Sequence, residues 1–265
     1  MNQFKRYIVY ALFLCAALCV AAVSHAQSPF DGTWRIDPGK AKFDQKPFTV
    51  YLSQGWYHCV SCTPPYDVQA DGQFHAVAGQ SFDAQSVTIV DPHTLRFVSK
   101  KGDKTIEDDT VTVSADGKIT SIKSKSYPLN GGDAQDSSMK LKRVGALPAD
   151  VHATSGNWVP LNFTDTEADL SFSFKTDGDQ FSMTDPTGDS YTAKFDGSDY
   201  PYKSYGANRV NLQKVDAHTI IETDKRDGKV VGDSKMTVSA DGKTMSIVSH
   251  NPQNNTTSTF VATKK

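Results

Sequence analysis

Along most of the chain, apolar side chains stand at every second position. Phe172 and Phe174 share one parity, as do Phe181 and Met183, Tyr191, Ala193 and Phe195, Val210 and Leu212, Met236 and Val238, and Met245 and Ile247. Ser, Thr, Lys, Asn and Gln fill the alternate positions. In the first half the matching faces carry Val50 and Leu52, Val87 and Ile89, Leu95 and Phe97, Val111 and Val113, and Met139 and Leu141. A period of two is the mark of a strand with one dry and one wet face. Turn residues bound these stretches, among them Asp71-Gly72, Asp116-Gly117, Asp227-Gly228 and Asp241-Gly242, and glycine there takes a positive φ without steric cost. Outside the first residues no stretch of helical period is long enough to predict a helix. Consecutive strands joined by tight turns pair antiparallel. A long meander leaves two open edges unless it curls shut. The pattern therefore predicts an all-β protein of antiparallel up-and-down barrels, about eight strands each.

The pattern occurs twice. Thr112-Val113-Ser114-Ala115-Asp116-Gly117-Lys118 returns as Thr237-Val238-Ser239-Ala240-Asp241-Gly242-Lys243. Val90-Asp91-Pro92-His93-Thr94 likewise answers Val215-Asp216-Ala217-His218-Thr219, and Gly32-Thr33-Trp34 answers Gly156-Asn157-Trp158. A period above a hundred residues exceeds that of solenoid or propeller repeats, which run about 20–50, and fits two copies of a whole small domain. The expected division is a first barrel over residues 27–145, a linker over 146–155 rich in turn formers, and a second barrel over 156–265. Gly55 to Pro65 reads as an irregular insert peculiar to the first half.

Residues 1–26 stand apart. Lys5 and Arg6 precede an apolar run from Ile8 to Val23, and Ser24-His25-Ala26 supplies small residues before a cleavage site. This is the pattern of a secretory signal peptide. The rival reading, a retained anchor, needs about 20 spanning residues. Cleavage would leave no membrane anchor and an exported chain, periplasmic or secreted. Without Lys5 and Arg6, 26 basic residues face 30 acidic ones, a net charge of −4. A mildly acidic chain without a basic cluster is ill suited to a phosphate backbone, so no nucleic-acid partner is expected.

A Gly-x-Trp opening strand followed by an up-and-down meander resembles the lipocalin and avidin-type barrels, and it occurs once per half. The whole mature chain resembles uncharacterised exported bacterial lipocalin-like proteins, through Ala193-Lys194-Phe195-Asp196-Gly197, Tyr200-Pro201 and the two Val-Ser-Ala-Asp-Gly-Lys turns. The resemblance implies that Trp34 and Trp158 are structural, each sealing the closed end of its barrel. It also implies an interior that takes a small apolar ligand.

Candidate chemistry is sparse. Cys59 and Cys62 are the only cysteines after residue 26, and a C-x-x-C pair reads as a local disulfide, a redox dithiol or half a metal site. No helix follows to activate the first thiol, and zinc would need two more ligands; in an exported chain a loop-pinning disulfide is the expected reading. His93 and His218 sit in equivalent Asp-x-His-Thr turns and read as turn residues. Glu107-Asp108-Asp109 reads as the wet face of its strand and neighbour. No phosphate loop or nucleophile elbow occurs, so no catalytic residue, cofactor or metal is expected. Trp56, Tyr57 and Tyr66 flank the cysteines and would line a barrel mouth or plug the core; Phe172, Phe174, Phe181 and Tyr191 are the matching candidates in the second half. The expected function is binding of a small apolar molecule without catalysis. The alternatives are a structural or interaction protein of the cell envelope with filled barrels, and a thiol redox protein acting through Cys59 and Cys62.

Overall fold

The computed structural model describes residues 28–147, 149–166 and 170–265. The expected signal peptide, 1–26, lies outside the described residues. A strand β1 (Gly32–Ile36), a 3-10 turn (Pro38–Lys40) and a two-residue strand β2 (Lys42–Phe43) come first. Ten strands follow: β3 (Phe48–Ser53), β4 (Trp56–Cys59), β5 (Tyr66–Gln69), β6 (Phe74–Ala76), β7 (Ala84–Asp91), β8 (Thr94–Lys101), β9 (Lys104–Val113), β10 (Ile119–Ser126), β11 (Gln135–Val144) and β12 (Gly156–Thr166). The last nine are β13 (Ser171–Asp177), β14 (Gln180–Thr184), β15 (Ser190–Lys194), β16 (Asp199–Lys203), β17 (Arg209–Lys214), β18 (Thr219–Arg226), β19 (Lys229–Val238), β20 (Thr244–Asn251) and β21 (Thr256–Lys264).

These strands form two antiparallel barrel-like sheets. One holds β3 to β12; the other holds β13 to β21 with β1 and β2. Each barrel-like ring counts ten strands rather than about eight, β2 being a short extra strand on β21; a β1–β21 ladder closes the second, whereas the first ends at β5 and β6 with no ladder between them among the described residues. Strands also form where the sequence pattern predicts none. Trp56–Cys59 lies in the segment predicted to be an irregular insert, yet it pairs with β3 and β5. Asp199–Lys203 contains Pro201, which weighs against a strand in sequence, yet it pairs with β15 and β17.

The rings do not follow the expected division at residues 145 and 156. The opening strand of each half belongs to the other half's ring. β1 lies between β13 and β21, with Trp34 opposite Phe172 and Lys264. β12 lies between β11 and β3, with Trp158 opposite Arg143 and Phe48. β11 and β12 are accordingly neighbours in one hairpin instead of belonging to two domains joined by a linker. The physical reason is local: a strand that follows its predecessor through a short connection pairs with it. Once β12 occupies the slot beside β3, the equivalent slot beside β13 is left for β1.

Both tryptophans are buried and anchored alike. The Trp34 indole N–H donates to the Phe30 carbonyl at 2.7 Å, and Trp158 donates to the Thr154 carbonyl at 3.0 Å. A cation caps each ring: Lys264 at 5.0 Å over Trp34 and Arg143 at 4.1 Å over Trp158. Arg143 also donates to the carbonyls of Gly117, Ala153 and Ser155, which ties the β11–β12 connection to the end of the first ring. Leu52 and His152 bond this connection to β3 as well, through Leu52 N–H to Ser155 Oγ and His152 N–H to the Leu52 carbonyl.

Candidate functional site

Because the two halves are copies, their inner faces can be compared position by position. In the second ring the axis is filled. Phe30 meets Phe174 and Phe181 edge-on at 6.3 and 6.1 Å, and Phe174 lies 4.8 Å from Phe181. Met245 and Met236 are buried in the same cluster. The first ring places Thr154 where the second has Phe30, Val50 where it has Phe174, Thr120 where it has Met245, and Val111 where it has Met236. The larger Leu141, opposite Thr120, returns part of that volume. What remains is a cavity of about 190 Å³ in the first ring, partly open to solvent, lined by Tyr57, Tyr66, Phe97, Asp109, Thr120 and Trp158 among others.

Tyr57 and Tyr66 therefore fall on the cavity, as the sequence predicts for a mouth or plug. Trp56 does not: the strand alternation of β4 turns it outward, where it is 46% exposed. Phe174, Phe181 and Tyr191 belong to the packed core of the second ring, with Phe172 packed against it. Trp34 is buried in the core of the second ring, not the first; Trp158 is buried in that of the first. Cys59 is buried in the first ring, Cys62 borders the cavity, and their sulfurs lie 1.93 Å apart, at bonding distance. His93 and His218 occupy the predicted turns, their N–H groups held by Asp91 Oδ1 and Asp216 Oδ1 at 2.7 Å each.

The acidic cluster is a correction. Only Asp108 faces out, where it accepts two bonds from Arg96 at 2.9 and 2.6 Å. Glu107 and Asp109 have the parity of Val111 and Val113, and that face is the interior. Burial pushes the Glu107 carboxyl up to about 7 and raises that of Asp109 as well. The second ring has its own inward pair, Glu222 and Asp224, with burial raising both, Asp224 to about 8. The pairs sit on different strands but at the same place. Asp109 lies opposite Phe97 across β8 and β9, whereas Glu222 lies opposite Ser234 across β18 and β19.

The tyrosines beside the pairs differ in what they bond. Tyr191 donates its hydroxyl to Glu222 Oε2. Tyr66, the equivalent residue in the first half, donates to Gln85 Oε1 at 3.0 Å instead. Gln85 in turn donates to Ser99 Oγ at 3.2 Å. Burial raises the hydroxyls of Tyr57 and Tyr66, that of Tyr66 to about 12, so both are neutral donors near neutral pH. Asp109 Oδ1 and Thr120 Oγ1 are buried without a hydrogen-bond partner. Thr154, Thr120, Gln85 and Asp109 are the cavity residues that alternation alone did not single out; the comparison of Thr154 with Phe30 was open to sequence reading.

Among the described residues no group of three or more His, Cys, Asp or Glu is arranged to hold a metal ion. No protein-family model matches the chain, and no curated protein matches it.

Proposed function

We propose that this chain is an exported, lipocalin-like binding protein that holds one small molecule of largely apolar body in its first barrel, without catalysis. The second barrel serves as a packed scaffold. The observation that supports this reading is the difference between the copies: one interior is filled by Phe30, Phe174, Phe181 and Met245, and the other keeps about 190 Å³ open. Leaving core volume unfilled forfeits packing, up to about 24 cal/mol per Å³ where the space is sealed, and less here because the pocket is partly open to water. The second barrel removes that cost with larger side chains; the first does not, as a chain kept for ligand uptake requires. The volume suits a single ring with a short chain, since a cavity of about 150 Å³ takes benzene. It is smaller than the roughly 300 Å³ of a drug-sized site. Export rests on the Lys5-Arg6 and Ile8–Val23 pattern.

Native mass spectrometry of protein purified from its own host tests the reading. A co-purifying molecule of roughly 100–200 Da supports it, that being the mass range the 190 Å³ volume admits. Protein that carries nothing and takes up no small aromatic compound contradicts it. In that case the second reading, an envelope interaction protein, gains from the one feature that favours it: a barrel already filled by its own side chains.

A further inference from the structure

Resting on the reading of the cavity as a ligand site, we propose that its ligand is a small monoamine with a hydrogen-bonding group at the opposite end. The protonated amine sits on Asp109. The apolar body lies among Tyr57, Phe97 and Val111, and the far group meets Thr120.

The two ends are fixed by unsatisfied atoms. Asp109 Oδ1 lacks a partner inside the barrel, and so does Thr120 Oγ1, whose residue is only 2% exposed and borders the cavity. A buried polar atom left unpaired is costly, and each of these borders space that a ligand would occupy. Asp109 lies opposite Ser124 in the β9–β10 ladder and Thr120 lies opposite Val113. The two positions are therefore four residues apart along neighbouring strands, about 13 Å at 3.3 Å per residue. Both side chains project from the same sheet face, so that separation is kept, and it is spanned by one ring with a two-carbon chain plus a hydrogen bond at each end.

A cation at the Asp109 end follows from what surrounds it. Glu107 stands two residues away on the same inner face, so two carboxylates share one apolar environment. The basic side chains beside it on the neighbouring strands are committed on the outer face: Arg96 bonds Asp108, and Lys125 bonds Asp136. In the second barrel the equivalent tyrosine bonds Glu222, although Asp224 Oδ1 there is unpaired as well; here Gln85 has taken the Tyr66 hydroxyl, and both inward carboxylates are left without it. A neutral ligand would answer only one hydrogen bond; a cation also relieves the repulsion of the pair. The aromatic walls suit it too. Tyr57 and Phe97 lie 4.9 Å apart, Tyr57 and Tyr66 6.4 Å apart, and ring faces attract ammonium groups. A hard metal ion is excluded by the shortage of oxygen ligands, six to eight being usual for calcium.

Four probes with one skeleton test it: tyramine, phenethylamine, 4-ethylphenol and ethylbenzene, titrated into the mature protein by calorimetry at pH 7.5. The expected result is that tyramine binds at least tenfold more tightly than 4-ethylphenol, and phenethylamine at least tenfold more tightly than ethylbenzene. Asp109→Asn should erase the amine preference and keep ethylbenzene binding, which shows that the barrel is intact. Thr120→Val should erase the preference of tyramine over phenethylamine. If neutral probes bind as tightly as the amines, or D109N keeps the preference, the amine assignment is overturned while the cavity reading stands. If tyramine gains nothing over phenethylamine in the unaltered protein, the Thr120 end is overturned. Failure of all four probes, ethylbenzene included, takes the cavity reading down as well.

Discussion

Phe30 and Thr154 hold the same position in the two copies, each four residues before a tryptophan whose indole N–H bonds its carbonyl. One side chain fills a barrel and the other leaves it open. Because each opening strand joins the other copy's ring, Phe30 plugs the second barrel from the N-terminal side of the chain, and Thr154 borders the first from its middle. The asymmetry between the two interiors thus begins at one pair of residues just ahead of the exchanged strands, and the pairs Val50 and Phe174, Thr120 and Met245, and Val111 and Met236 add to it.

The exchange predicts where damage travels. Deleting residues 28–36 removes β1, whose ladder partners are β13 and β21. Hydrogen exchange should accelerate in Ser171–Phe174 and Ala262–Lys264. The strands β3 and β11, which flank β12, should keep their protection. Loss of protection in Phe48–Val50 instead would mean that each half closes on its own first strand.

Arg143 fastens the β11–β12 connection through three backbone carbonyls while lying over Trp158. Hydrogen bonds to a charged group contribute about 1.5–3 kcal/mol each when buried, less here because the guanidinium is partly exposed. Arg143→Ala should lower stability by about 2 kcal/mol in urea unfolding monitored at the first barrel. Arg143→Lys should recover little, since an ammonium cannot fork to the carbonyls.

The buried carboxyls set the pH dependence. Burial holds Glu107 at about 7 and Asp224 at about 8, and raises Asp109 and Glu222 in the same direction. Each group keeps its proton in the folded state at a pH where the unfolded chain has released it. Stability is therefore undiminished below about pH 4 and falls as pH climbs through the native values. For Glu107 alone, moved from 4.5 to about 7, the loss approaches roughly 3 kcal/mol at about 1.4 kcal/mol per unit. Urea midpoints should drop between pH 5 and 8, and Glu107→Gln should flatten that slope. A midpoint that rises over this range would contradict the burial of these groups.

Much of this was legible in the chain. Alternation placed the inner faces, the Asp-Gly turns placed the hairpins, and the repeat announced two barrels. Trp56–Cys59 hid because the cysteines and Pro64-Pro65 resemble a loop, and Asp199–Lys203 hid behind Pro201. The exchange could not be read at all. Trp34 and Trp158 each need a phenylalanine on one side and a cation on the other, and both rings offer that pair, Phe172 with Lys264 and Phe48 with Arg143. Asp109 was misplaced because three adjacent acids resemble a wet face, although its parity with Val111 already pointed inward.

The account turns on which barrel has room, and ligand stoichiometry measures that directly. Calorimetry with ethylbenzene should give one site in the unaltered protein, none in Thr154→Phe, and two in Phe30→Ala, the last at a stability cost of about 3–5 kcal/mol. Undiminished binding in T154F would contradict it.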